Sequence, residues 1–277
     1  MFPALLVLLL LCRQDSVTSV RLVELRVPTH EREGGSALLG CQYDMEDDVL
    51  YSVKWYKDSN EFFRYAPKNY PPIKHFDRRG VYVDESRSSA TEVTLVNLTR
   101  DSAGMYSCEV SGEAPNFTTV TSQKYITMHL LPDRGPQTTG LQERYFIDDE
   151  VLANCTSSAS RPEAHLKWLI NGRPAPRHFL IGPWYRVSVQ RADAVETTLQ
   201  LRFRVVPSDF NDGAMRIKCQ ATIAPLYQRE TSSVHYVALP FMETPSPVAA
   251  DDVDNALQLK ISLSTILMPV LLLIFII

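Results

Sequence analysis

Six histidines, one run of acidic side chains and five cysteines are the residues of this 277-residue chain whose types could do chemistry. His30, His75, His129, His165, His178 and His235 each stand alone. None belongs to a nucleophile elbow, a zincin helix or a Cys-His metal spacing, and there is no phosphate loop. Histidines so placed read as solvated surface residues, so no catalytic residue, cofactor or metal is expected and the chain is not read as an enzyme. The acidic run Asp44-Met-Glu-Asp-Asp48 could offer oxygens to calcium, but it lacks a turn-making glycine and reads as a solvated loop. A formal net charge of -4 leaves no basic footprint, which argues against nucleic acid as a partner.

The cysteines carry more. Cys12 falls within an apolar run, Ala4 to Cys12, too short to span a bilayer and followed by the small-residue site Val17-Thr-Ser19. Residues 1–19 therefore read as a signal peptide, removed with Cys12. Cys41, Cys108, Cys155 and Cys219 remain, and in an oxidising compartment they pair. Counting alone leaves three pairings open. The flanks decide among them. Trp55 follows Cys41 by 14 residues, and Cys108 closes the string Asp101-Ser-Ala-Gly-Met-Tyr106-Ser-Cys108. The arrangement recurs as Cys155, Trp168 and Asp212-Gly-Ala-Met-Arg-Ile217-Lys-Cys219.

Such residues need particular elements around them. Between Val20 and Ala249 the apolar pattern is short alternating runs separated by Gly, Pro, Asn and Asp, which reads as many antiparallel strands. Two sheets about 10 Å apart, crossed by a cystine with a tryptophan packed on it, are the immunoglobulin sandwich. The fold class expected is all-β, two tandem immunoglobulin-like β-sandwich domains with cystines Cys41–Cys108 and Cys155–Cys219. Each cystine is worth about 4 kcal/mol in the chain-entropy account. The long first cysteine interval leaves room for extra strands, so residues 20–131 read as variable-type, with Tyr106 as the corner tyrosine. Residues 132–240 form the second domain, less regular because Ile217 replaces that tyrosine. The segment His129 to Gly140, with two prolines and two glycines, reads as a short hinge.

Parity along the strands proposes a binding surface. With Trp55 inward, Lys54 and Tyr56 face outward; with Tyr106 and Cys108 inward, so do Ser107, Glu109 and Ser111. The next strand holds Phe62, Phe63, Arg64 and Tyr65, and simple alternation exposes at least one aromatic there. Aromatics and arginine anchor interfaces, so Lys54, Tyr56, Phe62, Phe63, Arg64, Tyr65 and Glu109 are the candidate partner-binding residues, Lys54 and Glu109 as a rim pair.

Three sequons, Asn97-Leu-Thr99, Asn116-Phe-Thr118 and Asn154-Cys-Thr156, are glycosylation candidates. Asn97 is best placed, near a turn; Asn154 is least suited, because its middle residue is a cystine cysteine. Residues 241–249 read as a stalk and 250–277 as a lipid-anchor signal, with attachment at Ala249, a polar spacer and an apolar tail from Ile261 to Ile277. The rival is a terminal transmembrane helix without a cytoplasmic tail. Seventeen residues would span about 26 Å, slightly short, and Pro269 interrupts them. Either way the expected location is the outer face of the cell membrane, with shedding or secretion as the variant.

The strings Leu22-Val-Glu-Leu-Arg-Val-Pro28, Gly40-Cys-Gln-Tyr43, Val53-Lys-Trp-Tyr-Lys-Asp58, Asn60-Glu-Phe-Phe-Arg-Tyr65 and Cys108-Glu-Val-Ser-Gly-Glu-Ala-Pro115 closely resemble the beaten path family of insect neuronal surface proteins. The likeness continues through Asn154-Cys-Thr-Ser-Ser158 and Leu166-Lys-Trp-Leu-Ile-Asn-Gly172. It implies axon guidance and cell recognition by binding, on another cell, receptors of the Sidestep type, themselves immunoglobulin-superfamily proteins. Homophilic adhesion is the alternative.

Overall fold

The computed structural model describes residues 20–191 and 193–239; the expected signal peptide, stalk, Ala249 attachment point and anchor signal lie outside them. The described chain is all-β apart from four single-turn 3-10 segments.

The first sandwich is built from β1 (Arg21–Arg26), β2 (His30–Arg32), β3 (Ala37–Asp44), β4 (Leu50–Lys57), β5 (Asn60–Tyr65), β6 (Ile73–His75), β7 (Val83–Asp84), β8 (Glu92–Leu95), β9 (Gly104–Gly112) and β10 (Thr119–His129). One sheet runs β1-β3-β8-β7, the other β2-β10-β9-β4-β5-β6. The strands β5 and β6 are the variable-type additions that the long cysteine interval required. Alternation is clean in β9, where Tyr106, Cys108 and Val110 are buried and Ser107 and Glu109 are not. The Cys41–Cys108 cystine crosses between the sheets with Cα atoms 6.4 Å apart, and Trp55 is fully buried beside it. The Tyr106 hydroxyl donates to the Ser102 carbonyl at 2.9 Å, tying the turn before β9 to the core.

The second sandwich comprises β11 (Gln137–Thr139), β12 (Arg144–Tyr145), β13 (Glu150–Ser160), β14 (His165–Ile170), β15 (Arg173–Pro174), β16 (Leu180–Val187), β17 (Val195–Arg204), β18 (Ala214–Ile223) and β19 (Tyr227–Val237). Its sheets run β11-β13-β17-β16 and β12-β19-β18-β14-β15. The Cys155–Cys219 cystine, with Cα atoms 6.3 Å apart, and buried Trp168 repeat the pin, and Ile217 fills the corner position as an apolar contact. The expectation of a less regular second domain is corrected: β13, β17, β18 and β19 each span ten or eleven residues. Losing one hydroxyl bond costs little where Trp168 Nε1 donates to the Leu199 carbonyl at 3.0 Å and apolar burial is complete.

The junction is also tighter than a free hinge. Leu130 and Arg161 exchange backbone hydrogen bonds of 2.8 and 2.9 Å, Arg161 pairs with Glu33, and Arg191 donates to the carbonyls of Leu131 and Ala159. Only the few residues between Leu130 and β11 are outside strands or bridges, and the Arg134 carbonyl accepts from Tyr227 there.

Candidate partner-binding face

The outer face of the β2-β10-β9-β4-β5-β6 sheet is where the sequence places its contact residues, and register decides which of them arrive. Lys54 lies opposite Glu109 on one side and Arg64 on the other, while Tyr56 lies opposite Ser107 and Glu61. Lys54 Nζ donates to Glu109 Oε1 at 2.8 Å, and the Tyr56 hydroxyl donates to the same oxygen at 3.2 Å. Burial opposes charge on Lys54, but the hydrogen bond and charge of Glu109 outweigh it and hold the ammonium above its ordinary range. Burial and the same carboxylate push the Tyr56 phenol up, so it stays a neutral donor.

Phe62 and Phe63 are corrected. Both are fully buried in the first-domain core, and Phe62 packs edge-on against Tyr106 with ring centroids 5.9 Å apart. Simple alternation fails because the β4–β5 ladder shifts register: Trp55 pairs with Phe63 but Tyr56 pairs with Glu61, leaving Phe62 as the extra residue of a β-bulge. Two consecutive phenylalanines thereby enter the same core. Tyr65, opposite inward Val53, is half-buried against that core and also leaves the outer face.

The bulge has a second effect on the same strand. Glu61 and Arg64, three apart, would point to opposite faces of a regular strand; here both face outward. Arg64 Nε and Nη2 donate to the two Glu61 oxygens at 2.7 and 2.8 Å, a bidentate pair that holds the guanidinium more firmly protonated. Across the next ladder Lys74 lies opposite Arg64, and Phe76 is flanked by both cations, 5.1 Å from Lys74 Nζ and 5.9 Å from Arg64 Cζ. The sequence reading missed Glu61, Lys74 and Phe76. Glu61 needed the bulge; Lys74 and Phe76 needed the position of β6, a three-residue strand with little pattern of its own. The assembled face therefore holds Lys54, Tyr56, Glu61, Arg64, Lys74, Phe76 and Glu109, with Ser107, Thr121 and Gln123 beside it by register.

Elsewhere the acidic loop is occupied by its neighbours. Asp48 accepts from Asn116 Nδ2 at 2.7 Å and Thr118 Oγ1 at 2.6 Å, and Asp44 accepts from Arg21 at 2.9 Å. Among the described residues no cluster of three or more His, Cys, Asp or Glu could hold a metal ion. Asn97 is exposed at a left-handed turn position (φ 50°), Asn116 is exposed, and Asn154 is half-buried in the middle of β13. Among the described residues no helix is long and apolar enough to cross a membrane.

Two sandwiches in series, each with a tryptophan packed on an intersheet cystine and the first carrying the extra strands of a variable domain, define a tandem immunoglobulin chain. Residues 26–131 match the family described as Immunoglobulin V-set domain, and residues 133–228 match the CD80-like C2-set immunoglobulin domain; the chain belongs to the immunoglobulin superfamily. It is similar to Cell adhesion molecule 1 of Mus musculus, at 25% identity over 64% of this chain and 35% of that protein. Cell adhesion molecule 2 of Rattus norvegicus is 24% identical over 51% of this chain and 30% of its own length. The chain thus spans about a third of the length of the curated relatives it matches. The crystal structure of murine CEACAM1b shares the fold, with a TM-score of 0.51, 16% identity and coverage of 78% of this chain and 100% of that one.

Proposed function

We propose that this chain is a cell-surface recognition protein of the beaten path kind. On this reading it works outside the cell and binds an immunoglobulin-superfamily receptor of the Sidestep type on another cell, in axon guidance or synaptic partner choice. The observation that carries the reading is the outer face of β4, β5, β6 and β9. Two acids, three cations and two aromatics share one sheet surface, Lys54 and Glu109 are largely shielded, and the aromatic and guanidinium groups are the types that anchor protein interfaces. The strings shared with the beaten path family, together with relatives named as cell adhesion molecules, support the same conclusion. Attachment to the membrane through a lipid at Ala249, or through the apolar segment 261–277, belongs to this reading.

A second reading, homophilic adhesion, draws on the mixed charge of that face: Glu61 and Glu109 on one copy could meet Arg64 and Lys74 of another. One experiment separates the two. The purified ectodomain, residues 20–239, is screened against neuronal immunoglobulin-superfamily ectodomains with itself included. A selective Sidestep-type hit supports the first reading; self-binding alone supports the second; no hit overturns both.

A further inference from the structure

The outer face of the β11-β13-β17-β16 sheet in the second domain carries a feature that partner recognition by the first domain does not use. Trp184 is 48% exposed on the edge strand β16, with Ile181 and Leu152 exposed on the same face. Register sets what surrounds it. Trp184 lies opposite Thr198, which lies opposite Thr156; Ile181 lies opposite Gln200, which lies opposite Asn154; and Asn154 lies opposite Thr139 on its other side. Thr156 and Thr198 hydroxyls meet at 3.0 Å, confirming that these side chains share the surface.

Asn154 is thus set in a strip of neutral hydroxyls and amides with one indole at its rim, bounded along the strands by two self-paired charge couples, Arg202 with Glu150 and Arg186 with Glu196. Its Oδ1 accepts from Gln200 Nε2 at 3.0 Å, which leaves Nδ2 without a side-chain partner among the described residues; in Asn116, by contrast, Nδ2 is committed to Asp48. The indole leans toward the Asn154 row. A Cβ placed on Gly182 would stand 3.1 Å from Trp184 Cε3, and Gly182 adopts φ +103°, so the glycine clears the space into which the ring folds back. One strand, β17, lies between Asn154 on β13 and Trp184 on β16, and Trp184 sits one row further along, so two strand spacings and two residues put their backbones roughly 12 Å apart across the sheet, within reach of the first two sugars of an N-linked chain. Neutral hydrogen-bonding groups beside an exposed aromatic ring suit a neutral sugar, whose polar edge bonds hydroxyls and amides and whose C–H face stacks on the ring.

We infer that Asn154 carries an N-linked glycan whose first sugars lie over this sheet face and stack on Trp184. The inference rests on the secretory reading proposed above. In the transfer, Asn154 Nδ2 forms a C–N bond to the anomeric carbon of a lipid-pyrophosphate-linked oligosaccharide. The anomeric C–O bond breaks, the lipid pyrophosphate leaves with the electron pair, and the amide gives up one proton. Transfer must precede closure of the adjacent Cys155–Cys219 bridge.

Fluorescence can read the result cleanly, since the chain has three tryptophans and Trp55 and Trp168 are buried. The ectodomain is expressed in a secretory cell line, site occupancy is read by glycopeptide mass spectrometry, and acrylamide quenching is compared for the wild type, Thr156→Ala, and Thr156→Ala with Trp184→Phe. The expected result is an occupied Asn154 and a rise in quenchable fluorescence for Thr156→Ala that Trp184→Phe abolishes. Trimming the wild-type glycan enzymatically should give the same rise without a substitution. A bare Asn154 beside a glycosylated Asn97 overturns the inference and leaves the secretory reading standing; three bare sequons overturn both. Unchanged quenching on an occupied protein refutes the stacking, and a dimer through β16 in sedimentation that Trp184→Phe dissolves assigns the face to a second copy instead.

Discussion

At the scale of single residues, the outer face turns on Glu109. One of its oxygens receives both the Lys54 ammonium and the Tyr56 hydroxyl, so the carboxylate orients two neighbours at once. Replacing it by glutamine keeps the shape and removes the charge. Glu109→Gln should weaken partner binding about tenfold or more, because the partially desolvated Lys54 loses its counter-charge in the middle of the contact. Thermal unfolding should shift little, since a single polar pair near the surface contributes modestly to stability. Titration of the variant against the receptor found in the screen, alongside a melt, checks both; unaltered affinity would remove this face from the interface. Lys54, Tyr56 and Glu109 were readable from sequence because the strands that hold them have inward partners of unmistakable type, Trp55 and Cys108. The two cystines were readable for the same reason.

At the scale of elements, what was not legible was the bulge in β5. Periodicity assumes an unbroken ladder, and two adjacent phenylalanines violate alternation whichever phase is chosen. The extra residue resolves that conflict by admitting both rings to the core, and it brings Glu61 and Arg64 onto one face. Phe62→Ala should therefore act as a core truncation, lowering the unfolding free energy of the first domain by about 3–5 kcal/mol. Chemical denaturation of the ectodomain measures it. A change under about 1 kcal/mol would place Phe62 at the surface after all. The hinge was misread on comparable grounds: proline and glycine mark the absence of regular structure, but they carry no information about Arg161, Arg191 and Glu33, which come from elsewhere in the chain to hold the junction.

For the whole molecule, pH is a global lever through His129. Its ring is buried at the end of β10, Nε2 lies 3.0 Å from His30 Nδ1, and burial with the nearby His30 lowers its pKa. The unfolded chain then binds a proton more readily than the folded one. Stability is accordingly full above the ordinary histidine value of about 6.5 and falls as pH drops below it through the folded value. Denaturant midpoints on either side of that pH should show the decline, and His129→Gln should flatten it. Asp58 acts in a lower window: burial opposes its charge, but the Lys57 ammonium and the Met105 N–H hold its pKa down, so its contribution is lost only below about 4.

The two short parallel pairings have a mechanical meaning. In the first domain β2 runs parallel to β10, and in the second β12 runs parallel to β19, each near the start of its sandwich and each beside the strand on which that sandwich ends. If the chain holds one cell to another, as proposed, it is pulled along its length, from the first strands of a domain toward its last. Tension in that direction slides β2 along β10 and β12 along β19, so the hydrogen bonds of each patch are strained together and must fail together. Peeling the same strands apart would break those bonds one at a time under a much smaller force. Each sandwich thus carries a clamp against traction, made of three pairs of residues in the first domain and two in the second.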